Sequence, residues 1–241
     1  MSKPFQEIYA LNECAVTLVF GDEISISIAE KINQFNSVLL ASPFEGFITS
    51  VPAYCTLTVY YDFFLVRSSG LPGDSGFDKV SQYLRELRVS SEVIEMANEK
   101  VVIPVCYGGT FGPDLEEVAQ LTGLSKQDVV TLHTESLYQV YMIGFVPGFG
   151  YLGGMDSRLV APRKASPRAI VAAGSVGIAG GQTGIYPLET PGGWQIIGRT
   201  PLKMFDATRK NPSLLKAGHT VVFRSISVAE FNELNESEHG D

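Results

Sequence analysis

The chain is poor in cysteine and histidine, with three of each among 241 residues. The cysteines are odd in number and far apart, which argues against a disulfide framework and favours free thiols in a reducing cytosol. Three cysteines cannot complete a four-ligand zinc site, and the histidines stand at no spacing typical of metal ligands. The sequence therefore predicts a protein without a metal site of its own.

Long apolar runs and an excess of positive charge are also missing. No apolar run approaches the roughly 20 residues that a transmembrane helix needs, and the start MSKPFQEIYALNE has no apolar stretch typical of a secretory signal. The formal net charge of -8 argues against a nucleic-acid partner. Because 45% of the residues are hydrophobic, the chain can bury a core. We expect a folded cytoplasmic protein with a small-molecule substrate and no membrane.

Apolar spacing in the first part of the chain predicts alternating strands and helices. Residues 14–20 have a strand pattern, and residues 46–61 hold two more, separated at Pro52. Apolar side chains recur at helical spacing over residues 28–39 and 77–87, which predicts two helices. The resulting β-α-β-β-α order predicts a small two-layer α+β domain over residues 1–98.

The second part begins with a predicted strand at 101–107, followed by two short helices. Ser125 and Asp128 form a capping-box pattern at the start of the second of these helices. From residue 138 to 226, short apolar stretches alternate with glycine, proline and polar turns, which is typical of an all-β barrel or sandwich. A terminal helix is predicted at 227–234, with a frayed tail after it. We assign residues 99–241 to this second domain.

Residues 144–198 are rich in glycine and carry a local excess of positive charge. They hold 13 of the 24 glycines, and up to residue 199 five cations face only two acids. Glycine-rich turns present backbone N–H groups, and an arginine fork suits a carboxylate or phosphate. Arg163 and Arg168 each follow a proline, which restricts the loop that carries them. The pattern predicts an anion site.

The candidate residues for this site are taken from the same segment. The aromatic residues Phe145, Phe149 and Trp194 are predicted to wall a pocket. The predicted substrate- or phosphate-binding residues are Arg163, Arg168, Ser175, Gly180, Gly181, Gln182, Thr183, Tyr186 and Arg199.

Two motif matches in this segment lack the context that their functions require. Residues 148–153 (GFGYLG) match G-x-G-x-x-G, but prolines follow and no helical periodicity does, which argues against a dinucleotide site. Residues 174–177 (GSVG) resemble a nucleophile elbow, but Ala173 stands where that motif needs glycine. A serine hydrolase is therefore set aside, and Ser175 is kept only for polar contacts.

Four stretches together resemble one known family. They are ALNECAVTLVFGDEIS (10–25), IGFVPGFGYLGGMD (143–156), the Pro-Arg pairs at 162–163 and 167–168, and AGSVGIAGGQTGIYPLETPGGWQIIGRTPLKMFD (173–206). They are similar to the family of the 5-oxoprolinase B subunit, also known as allophanate hydrolase subunit 1 and as the KipI-type inhibitor of a sporulation histidine kinase. The resemblance covers about residues 8–230, and Ala172 departs from it where the family usually has proline.

The resemblance implies a fold, an activity and partners. The implied fold is α+β, with a cyclophilin-like β-barrel after the small N-terminal domain. The implied activity is that of one subunit of a hetero-oligomeric ATP-dependent 5-oxoprolinase, which opens 5-oxo-L-proline to L-glutamate with ATP hydrolysis. The implied partners are a second cyclophilin-like subunit (C type) and a LamB-like subunit (A type).

The same resemblance implies how the chemistry is shared. We expect this chain to be inactive alone, with the site for ATP and Mg²⁺ completed by the partner subunits. His133 or an acid of the partner would move protons. Two alternatives stay open: a binding protein that inhibits autophosphorylation of a sensor histidine kinase, and a subunit that acts on allophanate or urea.

Overall fold

The computed structural model of the chain describes residues 5–88 and 99–239. The chain divides into two compact units, Met1–Asn98 and Glu99–Asp241. These are the ranges assigned above to two domains, and that each unit folds as a separate domain stays a prediction. No helix within the described ranges is both long and apolar enough to cross a membrane.

The first unit is a four-stranded antiparallel sheet with helices against one face. Its strand order is β1-β2-β4-β3. Alternate side chains of the two central strands, such as Leu18 and Val59, form a core with Ile32 and Phe35 of the first helix. The elements are β1 (Glu7–Asn12), β2 (Ala15–Val19), α1 (Ile26–Ala41), β3 (Phe47–Pro52), β4 (Thr56–Tyr61), α2 (Phe63–Ser68) and α3 (Gly76–Glu86).

Three predicted strands and two predicted helices of this unit are present in the structure. Local periodicity was sufficient for them because α1 and α3 each present one apolar face to the sheet. Two elements were missed. In β1 only Ile8 is buried, so the strand has no apolar alternation, and α2 is a six-residue helix, too short to show a period.

The second unit is a closed seven-stranded barrel with helices packed against it. The strand order around the barrel is β10-β7-β6-β13-β5-β12-β9, and β8 and β11 form a separate two-stranded sheet. The elements are β5 (Lys100–Tyr107), α4 (Leu115–Thr122), α5 (Lys126–Glu135), β6 (Tyr138–Ile143), β7 (Gly150–Gly153), β8 (Arg168–Val171), β9 (Ser175–Ala179), β10 (Gln182–Ile185), β11 (Thr190–Gly192), β12 (Gln195–Arg199), β13 (Thr220–Ser225) and α6 (Val228–His239).

The barrel confirms the predicted α+β class and decides between a barrel and a sandwich. The predicted capping box is formed, because the Ser125 hydroxyl accepts from the Asp128 N–H and the Asp128 carboxylate accepts from the Ser125 N–H. The predicted end of the last helix was wrong. Helix α6 continues beyond residue 234 to His239, where a frayed tail was expected.

Candidate functional site

A pocket of about 290 Å³ lies in the barrel unit, within the segment that the sequence marked as rich in glycine and cations. Five aromatic side chains line it. One lies on β7, two precede β7, one follows β10 and one precedes β12. Two cations and four small or cyclic residues complete the lining. In chain order the lining residues are Phe145, Phe149, Tyr151, Arg163, Lys164, Pro167, Tyr186, Pro191, Gly192, Gly193 and Trp194.

The aromatic wall is rigid because its rings pack edge to face on one another. The ring centroid of Phe149 lies 5.2 Å from that of Tyr186 and 5.5 Å from that of Trp194, at interplanar angles of 84° and 85°. All three side chains are nearly fully buried and belong to one apolar cluster. The wall is therefore formed before any ligand arrives.

Phe145 stands at the edge of this wall in an unusual backbone conformation. Its φ is 65°, the only positive value recorded for a non-glycine residue in the described chain, and its side chain is 60% exposed. Such a conformation is strained for a residue with a Cβ and tends to occur at ligand sites. The ring lies edge-on to Phe149 at 5.6 Å, which keeps this exposed aromatic beside the pocket.

Lys164 lines the pocket, but protein acceptors occupy its ammonium group. The Nζ atom donates to Glu117 Oε2 at 2.6 Å, to Asp114 Oδ1 at 3.1 Å and to Gln195 Oε1 at 3.3 Å. An ammonium has three N–H donors, so this set uses all of them. The hydrogen bond to Glu117 raises the pKa of Lys164 against the opposing effect of burial, with a further contribution from Asp114. Lys164 therefore forms ion pairs within the protein and keeps no N–H donor for a ligand.

Asp114 is the buried centre of the same charge cluster. It receives hydrogen bonds from Arg168 Nη2 at 2.5 Å and from the Ile196 N–H at 2.6 Å, in addition to Lys164. Burial by itself raises the pKa of Asp114, but the hydrogen bonds from Arg168, the Ile196 N–H and Lys164 outweigh it and hold the pKa below its ordinary value. Asp114 and Glu117 thus neutralise Lys164 and Arg168.

Arg163 differs from the other two cations of the loop. It is exposed, it lines the pocket, and no carboxylate within residues 5–88 or 99–239 forms an ion pair with it. Since the neighbouring charges cancel, Arg163 supplies the net positive charge at this pocket. Burial raises the pKa of the nearby Tyr186, so its hydroxyl stays protonated.

The position of His133 does not fit the role of proton carrier. The ring is fully buried in the barrel core, 4.4 Å from the Phe223 ring centroid, and does not line the pocket. Thr183 Oγ1 donates to the Gly177 carbonyl, so we assign the His133 proton to Nε2, which donates to Thr183, while Nδ1 accepts from Tyr107. Burial lowers the pKa of His133 to about 3, so the ring is neutral and structural.

We expect the free energy of unfolding to depend on pH because of His133. The unfolded chain binds a proton at His133 near pH 6.5, whereas the folded chain does so only near pH 3. Between these values the unfolded state holds more protons, so stability falls with falling pH, by about 1.4 kcal/mol per pH unit from this group. Urea unfolding of the wild type and His133→Gln across this range should show curves that diverge below pH 6.5. Parallel curves would contradict the assignment.

The predicted anion-binding glycine run is a hairpin of the barrel. Gly180 and Gly181 join β9 to β10, with φ of 57° at Gly180, and the Gly180 N–H donates to the Ala161 carbonyl at 2.7 Å. Thr183 is buried in the core, and Gln182 begins β10. The hairpin therefore closes the barrel, and none of these four residues lines the pocket.

Three further candidates also lie outside the pocket lining. Ser175 is nearly buried on β9, and Arg199 Nε donates to the Ala173 carbonyl at 2.8 Å. Arg168 points to Asp114, and its Nη1 atom is buried without a hydrogen-bond partner in the described part of the chain. The predicted residues that the structure brings together around the pocket are Phe145, Phe149, Arg163, Tyr186 and Trp194.

Asp114, Glu117 and Gln195 were missed by the sequence analysis. They lie 50, 47 and 31 residues from Lys164, with which they hydrogen-bond. Pro191, Gly192 and Gly193 were missed as well. The only sequence signal was that acids stand at the start of α4 and cations at residues 163–168. Opposite charge alone does not define which residues pair.

Comparison with known proteins agrees with the fold and shows the family. Residues 6–215 match the family described as carboxyltransferase domain, subdomain C and D. A protein of Bacillus subtilis (strain 168), named as the B subunit of 5-oxoprolinase, is 46% identical over 232 residues, which are 95% of this chain and 97% of that protein. The chain belongs to the 5-oxoprolinase B-subunit family.

A second B-subunit protein supports the assignment, and a solved structure agrees with the fold. The B-subunit protein of Haemophilus influenzae (strain ATCC 51907 / DSM 11121 / KW20 / Rd) is 45% identical, covering 90% of this chain and 96% of its own length. The crystal structure of TTHA0988 is 34% identical with a TM-score of 0.76, and the match covers 92% of this chain and 40% of that one. The resemblance stated from the sequence is thereby confirmed.

Proposed function

We propose that this chain is one subunit of an ATP-dependent 5-oxoprolinase, which opens 5-oxo-L-proline to L-glutamate with ATP hydrolysis. Relatives named as the B subunit of 5-oxoprolinase match it over nearly the full length of both chains. The structural observation that carries the proposal is the preformed aromatic pocket with the unpaired Arg163 at its edge. Such a pocket binds a small organic anion and excludes water around it.

The complex also contains other subunits, in this proposal a second cyclophilin-like subunit of the C type and a LamB-like subunit of the A type. The relatives are named as one lettered subunit of an enzyme, which supports a multi-subunit complex. The chemistry of the pocket supports it as well. Asp114 and Glu117 are engaged by cations, and His133 is buried away from the pocket, so the proton-transfer groups of the reaction come from a partner.

The residues of the pocket do not fit a complete ATP molecule with Mg²⁺. Its volume of about 290 Å³ lies just below the roughly 300–1,000 Å³ typical of ligand sites. A triphosphate needs several cations, whereas Lys164 and Arg168 are already neutralised by acids. We therefore propose that the partner subunits hold the nucleotide and its metal, and we place no step of ATP hydrolysis in this pocket.

The proposed contribution of this chain is binding and orientation. Arg163 holds an anionic group by its guanidinium fork, and the edge-to-face aromatic rings exclude water from the bound ring. Opening a lactam requires water to add to its carbonyl carbon, which is a weak electrophile. A fixed orientation of that carbonyl toward groups of the partner lowers the entropic part of the activation free energy.

Reconstitution of the complex tests the proposed function. The isolated chain is expected to show no 5-oxoproline-dependent ATP hydrolysis, and the mixture with subunits of the A and C types is expected to release phosphate and L-glutamate. The mixture without this chain is the matched control. Full turnover by the isolated chain would contradict the need for partners, and a complete mixture without turnover would contradict the function itself.

The two alternatives carry no observation of their own at this site. A kinase inhibitor and a subunit that acts on allophanate or urea both stay compatible with the family, but no geometry of the pocket favours either. Loss of autophosphorylation of a sensor kinase on adding this chain, together with a complete mixture that is inactive, would favour the inhibitor.

A further inference from the structure

We propose that the pocket lined by Arg163 and Trp194 binds 5-oxo-L-proline itself, as a small cyclic monocarboxylate, and does so on this chain without the partners. This inference deepens the proposed function and rests on it. It assigns the cyclic amide to this chain, and the nucleotide to the other subunits. Three observations carry it: the charge of the pocket, its size, and the nature of its wall.

The charge of the pocket matches one carboxylate. Two acids and two cations of the neighbouring cluster cancel, because Asp114 and Glu117 bind Lys164 and Arg168. Arg163 remains as the cation without an ion pair in the described chain, and a guanidinium fork binds a carboxylate in a bidentate manner. The single negative charge of a monoanion is therefore neutralised by Arg163, whereas a triphosphate would bring further negative charges that no cation of the pocket neutralises.

The pocket is large enough for a five-membered ring, and its wall is preformed. The free volume is about 290 Å³, and the wall cannot yield easily because its rings are packed edge to face. The backbone of the β11 side also lies close to the wall. A side chain built at Gly192 would place its Cβ 2.5 Å from the Tyr186 hydroxyl oxygen, so a larger residue here would displace the buried Tyr186 ring. The pocket therefore has room for a small ring with one substituent.

The pocket also discriminates between the substrate and the product in binding. The ring of 5-oxoproline is uncharged, so it lies against the aromatic side chains without loss of ionic solvation. L-Glutamate carries an ammonium and a second carboxylate, but the pocket lining holds no acidic residue for the ammonium and, since Lys164 is already paired, no second cation for the carboxylate. The pocket should therefore bind the cyclic amide more tightly than the opened product, which favours release after the ring opens.

The chain contains its own reporter of occupancy. Trp194 is its single tryptophan, and it lies in the pocket wall with 6% of its surface exposed. Indole emission of the isolated full chain, excited at the red edge of its absorption, will be titrated with 5-oxo-L-proline, L-glutamate and Mg-ATP. We expect a saturable change with 5-oxo-L-proline, at least tenfold weaker binding of L-glutamate, and no saturable change with Mg-ATP.

Two variants complete the experiment. Arg163→Ala is expected to raise the dissociation constant for 5-oxo-L-proline at least tenfold with an unchanged melting temperature. Arg158→Ala is the matched control, because Arg158 pairs with Asp156 and does not line the pocket, and its dissociation constant should equal that of the wild type. Equilibrium dialysis with labelled 5-oxo-L-proline measures the same constants without relying on emission.

The outcomes distinguish this inference from the function on which it rests. Absence of binding in both assays, or saturable binding of Mg-ATP that 5-oxo-L-proline displaces, would overturn the inference even where the complete mixture is active. An unchanged KM for 5-oxo-L-proline in an active mixture that contains Arg163→Ala would overturn it as well. An inactive complete mixture instead rejects the proposed function, whatever the isolated chain binds.

Discussion

Arg163→Ala should lower the 5-oxoproline-dependent turnover of the reconstituted complex about 30- to 1000-fold, because removing a charged hydrogen-bonding partner from a site of this kind costs about 2–4 kcal/mol. Arg163 has no ion pair in the described chain, so its removal leaves no buried carboxylate behind. The fold should therefore be unaffected. Phosphate release by the complex, measured beside the melting temperature of the variant, checks both parts.

The arginine at position 158 provides the control for that measurement. It lies in the same unit, is exposed, and binds Asp156 through Nε and Nη2 outside the pocket. Arg158→Ala should leave turnover and melting temperature at the wild-type values. Equal turnover of Arg163→Ala and the wild type would contradict the anion site, and a large fall in melting temperature would show that Arg163 is structural.

Asp114→Ala should destabilise the barrel unit by about 3 kcal/mol, because it leaves two cations without their buried partner. Asp114 is 3% exposed and also accepts from the Ile196 N–H, which would lose its hydrogen bond. The value is at the low end of the range for broken buried pairs because Arg168 is partly exposed. For a chain of this size the melting temperature should fall by about 6–12 °C. Calorimetry measures this directly.

A double-mutant cycle isolates the interaction free energy between Asp114 and Arg168 from the other contacts of the cluster. Asp114→Ala, Arg168→Ala and the double variant should show a coupling of about 1–3 kcal/mol in urea unfolding. Glu116→Ala is the control, since Glu116 forms an exposed pair with Lys126 and should leave stability unchanged. Additive effects of the two single variants would contradict the cluster.

The cluster also has a defined pH dependence. The pKa of Asp114 is lower in the folded chain than its ordinary value, so the unfolded chain binds the proton first as the pH falls. The stability from this pair is thus fully present above the ordinary pKa of aspartate and is lost as the pH falls through the lowered folded value. Asp114→Ala should lack this part of the acid sensitivity.

The sequence was sufficient where the signal was local. Helices α1 and α3 and most of the strands follow from the spacing of apolar residues over one element. The four stretches that resemble one known family identified that family, and the excess of glycine and cations located the segment that carries the pocket. The aromatic residues Phe149 and Trp194 were predicted as wall residues because they fall within that segment.

The roles of the charged residues were decided by the tertiary structure. Arg163 and Arg168 stand in identical Pro-Arg pairs, yet Arg168 meets Asp114, which is 54 residues away, and Arg163 meets no acid in the described chain. His133 is buried among barrel strands that come both before and after it in the chain, which removes it from proton transfer. Composition and spacing determine which residues can form ion pairs or become buried. Long-range folding determines which do so, because pairing and desolvation depend on neighbours in space.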